Sequence, residues 1–234
     1  MKYIIADFIT EYEPKYDNLS NLSKPFIYNG NKETEIKINV TDNSIKKLLS
    51  CMTPETTIAQ AEEFAYSGAF SKSIIEHKAM FVHSSALIYN GEAYLFSARS
   101  GVGKSTHTRL WCEAFQNEVR MINDDKPVVR IYDDKAVAFG TPFDGGSGIA
   151  NNISAPLKAI IFIERGEENS IRIPSTSEII QNLYISSTRY VNKDNAKLML
   201  SNFEKLVSLS EFYILTCNTD ISSAYFARDA IIKR

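Results

Sequence analysis

The sequence predicts an α/β fold in which a mixed β-sheet carries helices packed on it. Three observations lead there. From residue 79 onward, apolar runs of strand character recur, several joined by tight turns such as Asn90-Gly91 and Asp133-Asp134. Helical patterns are interleaved with them at residues 106–115, 176–187, 194–207 and 221–232. A glycine-rich loop of phosphate-binding type lies between one such strand and one such helix. Strands that run in hairpins around a loop of this kind do not fit a purely parallel sheet, so a mixed one is expected.

Taken in order, residues 2–9 read as a first strand. Residues 35–40 read as a second, because Ile36, Ile38 and Val40 alternate with polar residues. Between them lies a Lys-, Asn- and Tyr-rich stretch with turn signals at Asn29-Gly30-Asn31. Helical patterns follow at 44–51, 58–64 and 70–77, with Pro54 breaking the first two apart. Nothing in this part names a chemistry. Residues 1–75 are therefore expected to form an N-terminal α+β extension, and residues 76–234 the phosphate-loop domain.

The second part is sharper. A strand at 79–89, the Asn90-Gly91 turn and a return strand at 92–96 lead into the loop and its helix. A short apolar run at 119–122 ends in Asn123-Asp124-Asp125. Residues 128–132 and 136–139 form another hairpin, and 141–148 a loop of turn-forming residues. Residues 157–163 read as a buried strand, 170–173 as a shorter one and 212–217 as the last.

Composition sets bounds on function. With 234 residues, 44% hydrophobic and 23% charged, the chain can bury a full core as one large domain or one domain with an extension. A formal net charge of −2 imposes no basic face, so nucleic acid is not the expected partner. No apolar run reaches the length of a membrane span. The N-terminal run carries Asp7 and lacks a cleavage site, so it reads as a strand rather than a signal peptide. Cys51, Cys112 and Cys217 are odd in number and have no metal-type spacing; they are expected to be reduced, mostly buried thiols in a cytoplasmic protein. A homo-oligomer remains open.

Residues 98–105 match the pattern G-x-x-x-x-G-K-[ST] except at the first position, where Ala98 replaces Gly and confines φ to negative values. Gly101 and Gly103 allow a tight turn that aims successive N–H groups at phosphate oxygens, and the following helix adds its positive end. Ser100, Gly101, Val102, Gly103, Lys104, Ser105 and Thr106 are thus the candidate nucleotide-binding residues. Lys104 supplies a charge for the outer phosphates, and the Ser105 hydroxyl can ligate Mg²⁺.

Phosphoryl transfer also needs a carboxylate that holds metal or takes the acceptor's proton. Asp124-Asp125 stands at a strand end one helix and one strand after Lys104, and two adjacent acids on an extended segment point to opposite faces. One can face metal while the other faces the acceptor. Asp133-Asp134 reads as a solvated turn. His77, His107, Arg109 and Trp111 read as ordinary helix residues, whereas Arg99 lies in the loop, where it can reach a phosphate or the acceptor or simply lie on the surface. Arg165 and Asn169 are placed in a hairpin turn.

An ordered set of segments carries a wider resemblance: Phe81-Val-His83, then Phe96-Ser-Ala-Arg-Ser-Gly-Val-Gly-Lys-Ser-Thr-His107 with Leu110-Trp111, Asn123-Asp-Asp-Lys-Pro127, Gly140-Thr-Pro-Phe143 and Pro156-Leu-Lys158. Over residues 75 to 234 the chain resembles the HPr kinase/phosphorylase-related family, whose nucleotide site is similar to that of the ATP-dependent phosphoenolpyruvate carboxykinases. The resemblance implies a mixed-sheet P-loop kinase fold binding ATP and Mg²⁺. It implies that Asp124, with Ser105, is on the metal side, that Asp125 takes the proton of a serine hydroxyl, and that His83 and Lys104 complete the catalytic set. In the carboxykinases a histidine at a similar place holds a second metal. The loop 141–145 departs from the Trp-Ser-Gly type of close relatives, and no Arg- and Gly-rich segment stands near the C-terminus. HPr as acceptor and the reverse, phosphorolytic reaction are therefore not carried over. Relatives of this shorter type act on other hydroxyls, including free serine and serine in small peptides.

Three classes of function are thereby set against each other. The leading one is ATP-dependent, Mg²⁺-assisted transfer to a hydroxyl of a peptide, a small protein or free serine. The second is a nucleotide-binding accessory module without turnover. The third is a carboxykinase-type enzyme, for which the chain looks too short to hold a separate substrate domain.

Overall fold

A computed structural model describes residues 1–187 and 193–232. The expected first strand is in fact a hairpin, β1 (Lys2–Ile5) and β2 (Phe8–Glu11), paired antiparallel. The turn is Ala6-Asp7, both at positive φ (51° and 61°), which is the backbone twist a two-residue hairpin demands. Neither residue is glycine, so the apolar run gives no sign of the reversal. A two-residue β3 (Ile36–Lys37) joins β2 in parallel, shorter than the alternation at 35–40 predicts. The Lys-, Asn- and Tyr-rich stretch between them contains α1 (Asp17–Ser23), an element the sequence reading did not assign.

Two helices follow, α2 (Asp42–Leu49) and α3 (Ile58–Ile74), each opened by a reciprocal side-chain cap, Thr41 with Ser44 and Thr57 with Gln60. The sequence suggests two helices where α3 is one. Gly68 lies in the gap between the two expected helices, and a Cβ there would meet nothing within 4 Å. Glycine costs the helix roughly 0.5–1 kcal/mol at this point but does not end it.

The main sheet is built from β4 (Ala79–Phe81), β5 (Ser84–Tyr89), β6 (Glu92–Ser97), β7 (Val119–Asp125), β8 (Val128–Ile131), β9 (Ala136–Phe139), β10 (Ser154–Arg165), β11 (Ser170–Arg172) and β12 (Glu211–Cys217). Helix α4 (Lys104–Phe115) joins β6 to β7; α5 (Thr176–Ser186) and α6 (Lys193–Leu209) join β11 to β12, and α7 (Ser222–Ile232) closes the described chain. The order is β4-β8-β9-β10-β6-β5-β7, with β12 on the other side of β10 and β11 beyond it. Strand β10 runs parallel to β6 and β12, while its first residues, Ser154 to Pro156, pair antiparallel with β9. The sheet is mixed, as expected.

The single strand expected at 79–89 divides at Val82-His83. On one side β4 pairs with β8; on the other, β5 pairs with both β6 and β7. Asn90 and Gly91 make the predicted turn, with φ of 51° and 80°. Alternate residues of β10 feed opposite faces. Ile160 and Phe162 pack with Leu183, Phe203 and Leu206 on one face, and Ile161 and Ile163 with Phe96, Trp111 and Leu215 on the other. A third core joins the N-terminal layer to β4, β8 and β9 through Phe8, Phe70, Phe81, Val128 and Phe143. Cys217 is buried, Cys112 partly so and Cys51 exposed, so the expectation of mostly buried thiols holds for one of the three. Among the described residues, no helix is long and apolar enough to cross a membrane.

Phe143 is fully buried and meets Phe81 edge-on at 5.9 Å between ring centres, with Phe70 at the same distance. Phe143→Ala is expected to lower the unfolding free energy by about 3–5 kcal/mol, the range for truncating a buried phenylalanine. Urea denaturation followed by tryptophan fluorescence measures it.

A candidate phosphate-loop site

Three strand ends build the site. Across β6, β5 and β7, Ser84 is the register partner of both Ser97 and Asp125. The loop that leaves β6, the residue that precedes β5 and the acids that end β7 therefore meet on one edge. His83 is fixed there from both sides. Its N–H donates to the Ser186 carbonyl at 2.6 Å, and its carbonyl accepts from the Ser97 hydroxyl at 2.9 Å.

Gly101 and Gly103 lie at φ of 79° and 129°, outside the range open to ordinary side chains, whereas Ala98 is not among the residues of positive φ. The departure at Ala98 is therefore compatible with this loop. Helix α4 starts at Lys104 with Gly103 as its cap, which offers no side chain to the first N–H groups. Helices α2, α3 and α5 all satisfy theirs with capping boxes. Uncapped N–H groups at the positive end of a helix are the chemistry that binds an anion.

Arg165, expected in a turn, instead ends β10 and reaches the loop. Its Nε donates to the Val102 carbonyl at 2.9 Å, and a terminal nitrogen donates to the Gly101 carbonyl. A peptide unit is planar, so fixing those two carbonyls also fixes the N–H groups of Val102 and Gly103 on the opposite side. Asn169 behaves as a turn residue, accepting from the Asn218 N–H. Arg99 is exposed.

The acids divide as alternation predicts. Asp124 accepts from the Ser105 hydroxyl at 2.9 Å. Asp125 lies 3.0 Å from His83 Nε2 and is paired with Lys126 at 2.5 Å. Burial alone would raise the Asp125 pKa; the His83 hydrogen bond and the Lys126 ammonium more than offset it and hold the carboxyl at about 2. Because that lies below the ordinary 3.8, the ion contributes stability in full above about pH 4, lost as pH falls through about 2. Lys104 is pushed down by burial and partly restored by Asp125 and Asp124.

Asn123 organises the pair, and sequence reasoning did not single it out. Fully buried, it accepts from the Asp125 and Lys126 N–H groups and donates to the Thr141 and Phe143 carbonyls. A buried amide directly after an apolar run was the available signal, since such a group must find partners. Glu63 on α3 was missed as well. It accepts from the Gly145 N–H at 3.1 Å and lies 4.0 Å from Lys126, and burial raises its pKa. His107 is buried under Phe96 and accepts from Trp111, and burial lowers its pKa to about 4.

Among the described residues no three His, Cys, Asp or Glu side chains cluster as a metal site. Ser105 with Asp124 nonetheless fits Mg²⁺, which takes one or two protein oxygens and fills its shell with phosphate and water. Two cavities meet at His83. One of about 890 Å³ runs along the loop past Arg99, Ser100, Val102 and Arg165; the other, of about 390 Å³, opens beside Asp125 and Lys126.

No family model matches the chain, and no curated protein does. Among solved structures it is similar to the Hpr(Ser) kinase/phosphatase from Coxiella burnetii, at 13% identity, covering 40% of this chain and 77% of that one with a TM-score of 0.30. A likeness so distant leaves the chemistry to be read from the residues themselves.

Arg165→Ala frees both loop carbonyls. Amide hydrogen exchange at Val102 and Gly103 is expected to rise by about tenfold, the effect of losing roughly 1.5 kcal/mol of charge-assisted hydrogen bonding, while amides of β6 are unchanged.

Proposed function

We propose that this chain transfers the γ-phosphoryl group of ATP to a hydroxyl, that of a serine in a peptide, in a small protein or as the free amino acid. The observation that carries the reading is the shared register at Ser84, which brings the glycine loop and the acid pair to one sheet edge. Lys104 and the loop amides grip the outer phosphates. Mg²⁺, held by Ser105 and Asp124, would neutralise charge on those phosphates. Asp125, oriented by His83 and lining the smaller cavity, receives the acceptor hydroxyl.

The acceptor oxygen forms its bond to the γ-phosphorus as the bond to the β–γ bridging oxygen breaks, and ADP leaves. The hydroxyl proton passes to Asp125. A carboxylate whose pKa is held at about 2 is a weak base toward an alcohol in the ground state. In a loose transition state the proton departs late, when the oxygen is already bonding to phosphorus, so orienting the hydroxyl is the larger task.

Lys104→Ala is expected to weaken ATP binding by at least about tenfold in calorimetry, through loss of one charge-assisted contact. Asp125→Asn should bind ATP as before and lose about 10²- to 10⁴-fold in transfer, the span of general acid–base contributions. Unchanged transfer by Asp125→Asn overturns the role given to that residue. A chain that binds ATP yet phosphorylates no acceptor is the non-catalytic module instead.

A further inference from the structure

The smaller cavity carries more than a place for a hydroxyl. Part of its wall is made by the N-terminal layer, with Leu48 on α2, Met52 just after it and Phe64 and Gly68 on α3, and Ile185 adds to it from α5. At about 390 Å³ it falls in the lower part of the range for small-ligand pockets, roughly 300–1,000 Å³. Among the described lining residues, the two that can carry positive charge, Lys126 and His83, are both engaged with the Asp125 carboxylate.

Gly68 is the informative residue. It stands inside a 17-residue helix, at a backbone conformation that does not require glycine, and a Cβ there would meet nothing within 4 Å. Neither the fold nor packing calls for a glycine at this point. The missing side chain does leave the cavity open. Beside it, the Ser67 hydroxyl donates to the Phe64 carbonyl and the Ser186 hydroxyl to the Asn182 carbonyl, so each oxygen keeps lone pairs for an incoming N–H.

Resting on the phosphotransfer reading, we infer that the acceptor is a peptide serine with a large apolar side chain next to it, and that this side chain enters the space over Gly68. Free serine fits the wall poorly, because its ammonium and carboxylate would lie against Phe64 and Ile185 without a free cationic partner among the described residues that line this cavity. Removing a leucine- or phenylalanine-sized surface from water there favours the apolar neighbour by roughly ten- to a hundredfold.

The test uses the full chain with Mg²⁺ and γ-labelled ATP, offered blocked pentapeptides whose central serine is flanked by leucine, phenylalanine, glycine or aspartate, and free serine. Higher kcat/KM for the leucine and phenylalanine peptides, by about tenfold or more, is the expected result. Gly68→Leu, which favours the helix, should reduce that kcat/KM at least tenfold while the ATP dissociation constant stays within about twofold. Gly68→Ala, filling less of the space, should fall between. Equal use of free serine or the aspartate peptide, or a Gly68→Leu chain that transfers as well as the parent, overturns the assignment and leaves phosphotransfer standing. ATP binding with no transfer to any acceptor overturns both.

Discussion

Everything at the candidate site depends on the place of β5 between β6 and β7. The β5 ladder sets Ser84 opposite Ser97 on one side and Asp125 on the other. A slip of one residue would turn every side chain of the strand to the wrong face, and β5 is buried along its whole length, so the register is strongly specified. The phosphate loop and the acid pair therefore need no contact with each other to be brought together. Hydrogen bonds between backbones do it, and the Ser105–Asp124 contact is a consequence.

Burying polar groups at such an edge is costly unless each finds a partner. Asn123 meets that demand with four backbone groups, the N–H groups of Asp125 and Lys126 and the carbonyls of Thr141 and Phe143. Asp144 does the same for the glycines of that loop, accepting from the N–H groups of Gly146 and Gly148. A Cβ on Gly145 would lie 2.5 Å from an Asp125 oxygen, so the loop closes directly on the carboxylate. Asp125 stays ionised in this enclosure through His83 and Lys126, and Lys126 is itself flanked by Glu63.

The sequence was most readable where local chemistry and tertiary role agree. The glycines at 101 and 103, the Asn90-Gly91 turn and the alternation that turns Asp124 and Asp125 apart are set by φ preferences and strand geometry, and they stand as expected. It was least readable where a residue acts against its local preference. Ala6 and Asp7 reverse the chain without glycine, Gly68 sits in a helix it does not break, and Val82-His83 divides what reads as one strand because β4 and β5 have different neighbours. Arg165 and Glu63 lay beyond reach for another reason. Each acts on a loop at least 60 residues away in the chain, a proximity that only strand order creates.

Strand β10 belongs to two ladders of opposite sense, antiparallel to β9 through its first residues and parallel to β6 and β12 through the rest. The seam between the two parts of the sheet thus falls inside a strand, where no linker could be cut or lengthened. Neither part can be excised, swapped or melted as a module of its own without tearing hydrogen bonds from the other. Its division of labour is built into one continuous cooperative unit.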